Sequence, residues 1–266
     1  MTPHPQNLDI SGQHLEGAWW GPAPDAAPTL VLLHEGLGCV GLWGDFPAKL
    51  VEATGCGIFA WSRAGYGQSS AIPLPRPLTY MHDEARDILP KVLDAIGFRD
   101  GLVIGHSDGA SIAVIHAGLH ADSRVRGVVA IAPHVFTEDM GIASIAEAKR
   151  AYEQGDLRAR LARRHQNVDC AFYGWNGAWL DPGFRAWDIT EFLPAIRVPV
   201  LVVQGVDDQY GTIAQVEAIE RGCGGPVETV MLPGVGHAPH REAPEATLAA
   251  IVGFTARVAP RQQNEQ

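Results

Sequence analysis

The chain has 266 residues, 46% of them hydrophobic and 19% charged, enough to bury a sizeable core in one domain with room for an insertion. A formal net charge of −10 argues against nucleic acid or an anionic membrane surface as partner. No apolar run reaches the roughly 18 residues of a membrane span, the first residues lack a signal-peptide pattern, and Cys39, Cys56, Cys170 and Cys223 contain no Cys-x-x-Cys pair. The expectation is a cytoplasmic protein with reduced thiols.

Short apolar runs alternate with helical patterns, the signature of an α/β fold with a mostly parallel, doubly wound sheet. His14 to Trp20 reads as part of an antiparallel edge hairpin with the residues before it. Thr29 to Leu33 and Gly57 to Trp61 read as buried strands separated by a helix from Asp45 to Thr54. A longer helix is predicted over Thr79 to Ile96, where Met81, Ala85, Ile88, Val92 and Ile96 fall near helical spacing. Strands follow at Gly101 to Gly105, Gly127 to Ile131, Pro199 to Gln204 and Val227 to Leu232. A closing helix runs from about Ala243 to Val258, before a polar tail from Arg261 to Gln266.

The alternation breaks between Phe136 and Leu193. That stretch has no buried-strand run, is helix-prone from Ser144 to His165, and is then dense in aromatics: Phe172, Tyr173, Trp175, Trp179, Phe184 and Trp187. An insertion of this length reads as a helical lid, which divides the chain into a core of residues 1–135 and 194–266 and a lid of residues 136–193.

Gly105-His106-Ser107-Asp108-Gly109 lies between a strand pattern and a helix pattern. A tight turn there demands small flanking residues and would present Ser107 Oγ at its tip, with the Asp108 amide at a helix N-terminus. A serine hydroxyl needs a general base, and that base an orienting acid. After Ser107, the next strand to end on an acid leads to Asp207 and Asp208, and the last leads to Gly236-His237. Serine, acid and histidine each follow the C-terminal end of a strand, and in an open parallel sheet those ends share one edge.

With these motifs the chain resembles capped Ser-His-Asp hydrolases of the α/β-hydrolase fold family. The resemblance runs from His34 almost to the last helix. It rests on His34-Glu35-Gly36, Arg63-Ala64-Gly65-Tyr66-Gly67-Gln68-Ser69, the Ser107 turn, Gly205-x-x-Asp208 and Gly236-His237. It implies Ser107 as nucleophile, His237 as base and then acid, and Asp208, three residues after the glycine, as orienting carboxylate in preference to Asp207. His237 directly follows a glycine and is preferred to His240, which is expected to face the lid or serve structure; His106 is expected to pack beside the turn.

The oxyanion donors implied are the amides of Asp108 and of Gly36, with Leu37 the alternative if the family glycine is aligned instead. Glu35 stands where that family carries glycine. It is either a loop carboxylate bonded to backbone amides or Arg63, or a polar contact for substrate. The Asp108 side chain is expected to turn away and cap its own helix, and Arg63 to tie its loop. Glu35, Leu37, Trp175 and Trp179 are the candidate pocket residues. Arg150, Arg158, Arg160, Arg163 and Arg164 form either a solvated lid face or an anchor for an anionic substrate.

The function expected is hydrolysis of a small, largely apolar ester, thioester or related acyl compound through an acyl-enzyme, with no metal or organic cofactor and a small-molecule substrate as sole partner. Carbon–carbon bond hydrolysis of a vinylogous diketone is the alternative chemistry, and a noncatalytic ligand receptor the alternative class. Haloalkane dehalogenation is disfavoured because the turn carries serine and not aspartate. Nothing in the pattern sets an oligomeric state.

Overall fold

The structure, a computed structural model, describes residues 1–259; the polar tail expected over Arg261 to Gln266 lies outside the described residues. Among the described residues ten strands are formed: β1 His4–Pro5, β2 Leu8–Ile10, β3 Gln13–Leu15, β4 Gly17–Trp20, β5 Thr29–Leu33, β6 Gly57–Trp61, β7 Gly101–His106, β8 Val125–Ile131, β9 Val200–Gly205 and β10 Val227–Leu232. Eight of them make one sheet in the order β1-β4-β6-β5-β7-β8-β9-β10, while β2 and β3 form a separate two-stranded sheet. From β6 to β10 the neighbours are all parallel; β4 and β1 close one edge antiparallel. The edge thus differs from the single hairpin expected. The chain divides at Glu16, so that Gln13–Leu15 pairs with Leu8–Ile10 while Gly17–Trp20 joins the main sheet.

The helices are α1 Phe46–Thr54, α2 Tyr80–Asp83, α3 Leu89–Ala95, α4 Asp108–Leu119, α5 Asp139–Gln154, α6 Leu157–Leu161, α7 Val168–Trp179, α8 Ile213–Gly222, α9 Pro239–Glu242 and α10 Pro244–Val258. Between α2 and α3 the expected helix continues through a π turn, Glu84–Ile88. The helix expected over Ser144 to His165 is broken after Gln154, where Gly155 is extended. Helix α8, which the sequence reading did not include although Ile213, Val216 and Ile219 fall at helical spacing, is capped by Thr212, whose hydroxyl accepts from the Ala214 amide.

Because side chains alternate across a strand, the central strands feed two cores. Val31, Leu33, Val103, Val128 and Val202 pack on one face with Leu89, Val92, Ile112 and Ile115. Leu30, Leu32, Ile104, Val129 and Val203 pack on the other with Phe46, Leu50, Ile251 and Phe254. Helices α5 to α7 all fall between β8 and β9, and the aromatics Phe172, Phe184 and Trp187 join the first of these cores. None of the four cysteines forms a disulfide. Among the described residues no helix is long and apolar enough to cross a membrane.

Candidate active site

The loop after β7 holds Ser107 at φ 54° and ψ −119°, a left-handed conformation that costs a non-glycine residue on the order of 1–2 kcal/mol. The flanking glycines make it feasible: a Cβ on Gly105 would lie 2.1 Å from the Gly109 carbonyl oxygen, and one on Gly109 would lie 2.1 Å from that of Leu33. Any side chain at either position would push strand and helix apart.

Ser107 meets two groups from distant parts of the chain. His237, on the loop after β10, places Nε2 2.9 Å from Ser107 Oγ. Its Nδ1 lies 2.9 and 2.8 Å from the two Asp208 carboxylate oxygens. A ring nitrogen facing a carboxylate must carry the proton, so Nε2 is the acceptor for the serine hydroxyl. Asp208 is buried whereas Asp207 is exposed. The Asp208 carboxylate also accepts from the Tyr210 amide and from Gln204 Nε2, each at 2.8 Å. Burial opposes its ionisation, but the hydrogen bond and charge of His237 and the Tyr210 amide outweigh burial and hold it below the ordinary carboxylate value.

A cavity of about 130 Å³ opens on Ser107 and His237. One wall is the loop after β5, with Glu35, Gly36 and Leu37; another is Trp175 and Trp179 from α7 with Ile145 from α5. The backbone amides of Gly36 and Asp108 donate to no other described residue. His134 and Tyr210, which the sequence reading did not select, complete the wall. His134 follows β8 by the same strand-end rule that located Ser107 and His237, and Tyr210 stands two residues beyond Asp208.

The Asp108 side chain departs from expectation. Instead of capping α4 it turns into the protein, where its two oxygens accept from Tyr80 Oη at 2.5 Å and Trp179 Nε1 at 3.3 Å. The amides of Ala110 and Ser111 already donate to the Ser107 carbonyl, whereas the buried tyrosine and indole supply free donors. Burial raises its carboxyl above the ordinary value, against the opposing charge of Arg63 and the Tyr80 bond.

The Glu35 carboxylate differs from the loop role expected, bonding neither Arg63 nor any described backbone amide. The Glu35 backbone carbonyl accepts from Arg63 at 3.1 Å, while the carboxylate is paired with Arg241 at 3.1 Å and lies 3.5 Å from His106 Nδ1. Burial would raise Glu35, yet His106 and Arg241 hold it well below the ordinary value. His106 in turn donates from Nε2 to the His237 carbonyl at 2.7 Å, bracing the loop of the triad histidine. His240 does not face α7; it is buried against the rings of Trp43, Phe46 and His106. Arg63 also bonds the His34 carbonyl, tying the β5 and β6 loops together.

Of the five arginines singled out, Arg150, Arg158 and Arg160 pair with Glu147, Asp169 and Asp156, Arg164 reaches the Gly41 carbonyl and Arg163 is exposed; none lines the cavity. Among the described residues no three His, Cys, Asp or Glu side chains are grouped to hold a metal ion.

A mostly parallel sheet with serine, imidazole and carboxylate on its strand-end loops is the arrangement of an α/β hydrolase. The chain belongs to the alpha/beta hydrolase family, whose pattern matches residues 30–251. It is 31% identical over 126 residues to epoxide hydrolase B of Mycobacterium tuberculosis (strain ATCC 25618 / H37Rv), a match spanning 47% of this chain and only 34% of that protein. In three dimensions it is similar to VinJ, with a TM-score of 0.77 at 19% identity over 97% of this chain and 100% of that one. It is also similar to the enol-lactonase from Burkholderia xenovorans LB400, with a TM-score of 0.72 at 19% identity over 94% and 100%. At such identities these structures speak for the fold alone.

Proposed function

We propose that the protein hydrolyses a small, largely apolar ester, thioester or related acyl compound through an acyl-enzyme. The observation that carries this is the unbroken chain from Ser107 Oγ through His237 to Asp208, with contacts of 2.8 to 2.9 Å. Ser107 attacks the carbonyl carbon as its proton passes to His237 Nε2. The amides of Gly36 and Asp108 receive the oxyanion, and His237 returns the proton to the leaving group. A water activated by the same imidazole then releases the acid. Asp208 keeps Nδ1–H oriented and stabilises the imidazolium without taking its proton.

Epoxide opening, the activity in the curated relative's name, suits this site less. Attack by a serine hydroxyl on an epoxide leaves an ether, which offers no carbonyl for a second attack, whereas an acyl-serine does. Residues 136–193 serve in this reading as the lid, with Trp175 and Trp179 as its contribution to the cavity. An apolar cavity of roughly 150 Å³ holds benzene, so the 130 Å³ here fits an acyl group of about that size.

Purified protein assayed on p-nitrophenyl esters of increasing acyl length tests the reading. Activity should peak at short chains and vanish in Ser107→Ala and His237→Ala. Full activity in Ser107→Ala would sink the proposal.

A further inference from the structure

His134 is a polar side chain of the cavity wall to which neither the triad nor its supports assign a role. It is 4% exposed, yet neither ring nitrogen hydrogen-bonds another described residue. Its neighbours are rings: Trp179 at 5.3 Å and His237 at 5.5 Å between centroids. The backbone around it is held firmly. Ser111 Oγ donates to the His134 carbonyl at 2.6 Å, the Val135 amide donates to Gln215 Oε1 at 2.7 Å, and Ala132 turns the chain at a φ of 47°. Gly211 packs so closely that a Cβ there would lie 3.3 Å from His134 Cε1. An imidazole fixed in place, without a protein partner and with its nitrogens not sealed off from the cavity, is free to hydrogen-bond a bound ligand.

The ligand's character follows from the rest of the wall. The wall is almost wholly apolar, no lysine or arginine lines it, and the carboxylates of Asp108 and Glu35 are engaged, the first by Tyr80 and Trp179 and the second by Arg241 and His106. An anionic substituent would meet apolar surface and no cation. Burial, reinforced by His237, lowers the His134 pKa to about 3, so its ring is neutral near pH 7, with one donor and one acceptor nitrogen. The geometry points to His134 as a substrate-binding group that holds a neutral hydroxyl or carbonyl oxygen on a ring-sized, uncharged acyl group. The description of the ligand as an acyl group rests on the hydrolase reading above; the hydrogen bond to a neutral oxygen does not.

Calorimetric titration with phenol and with benzene tests the assignment without requiring turnover. The ratio of the phenol to the benzene association constant should fall about tenfold from wild type to His134→Phe, the worth of one neutral hydrogen bond. In His134→Gln, which keeps a donor and an acceptor, the fall should be smaller; His134→Leu, which keeps neither, decides the matter if the phenylalanine protein does not fold. A ratio within about twofold of wild type in folded His134→Phe or His134→Leu overturns the assignment. Ester assays on Ser107→Ala judge the catalytic reading separately, so the two failures are distinguishable.

Discussion

A methyl group at position 36 would lie 2.2 Å from both Cδ1 and Nε1 of Trp175, against the 3.4 Å or more of ordinary contact. Trp175 is 7% exposed and packs edge-on against buried Phe172, so it has little room to retreat. In Gly36→Ala either the indole enters a 130 Å³ cavity or the loop after β5 moves away from Ser107. Overpacking of this kind costs roughly 1–3 kcal/mol of stability. A displacement on the order of 1 Å of a group that positions the reaction lowers the rate about 10²-fold. The assay is kcat and KM on a short p-nitrophenyl ester, together with a urea melt. Gly177→Ala, on the exposed face of α7 with nothing within 4 Å, is the control and should gain roughly 0.4–1 kcal/mol without loss of rate. Adding Trp175→Phe to Gly36→Ala should restore part of the rate. Undiminished kcat in Gly36→Ala would refute the claim that this loop supplies the oxyanion donor.

Other substitutions probe the remaining supports. Asp208→Asn should cut kcat by about 10⁴ through loss of the correct His237 tautomer, while Asp207→Asn stays near wild type; the reverse ranking would reassign the acid. Asp108→Asn should lose roughly 1–3 kcal/mol in a urea melt, because Tyr80 and Trp179 both donate to that carboxylate and an amide cannot accept from both as well. Stability should also depend on Asp208 in acid. Its carboxyl is depressed in the folded state, so its contribution is full above the unfolded value of roughly 4 and is lost as pH falls through the folded one. Urea midpoints between pH 7 and 3 should therefore fall less in Asp208→Asn than in wild type, and equal falls would contradict the assigned linkage.

Much of this was legible in the residues because it depends on local rules. Buried parallel strands are short apolar runs, and all six of those expected from Thr29 to Leu232 formed, although β8 begins at Val125, two residues before the apolar run. Gly105 and Gly109 are demanded by backbone contacts at the Ser107 turn, so their spacing carries structural information on its own. What the pattern missed was set by partners remote in sequence. The edge strands divided because β4 found β6, and Asp108 took its donors from Tyr80 and Trp179, 28 and 71 residues away; helix α8, by contrast, was legible, since Ile213, Val216 and Ile219 fall at helical spacing.

By itself the sequence determined the fold class and the strand-end positions of Ser107, Asp208 and His237, since strand periodicity and chain order suffice to bring them to one edge. The tertiary structure alone decided the cavity: its size, its unpartnered imidazole at His134, its nearly apolar wall, and the absence of the nearby arginines from it. The physical reason is that burial and hydrogen-bond partnership belong to pairs of residues brought together by folding, and no single stretch of chain encodes them.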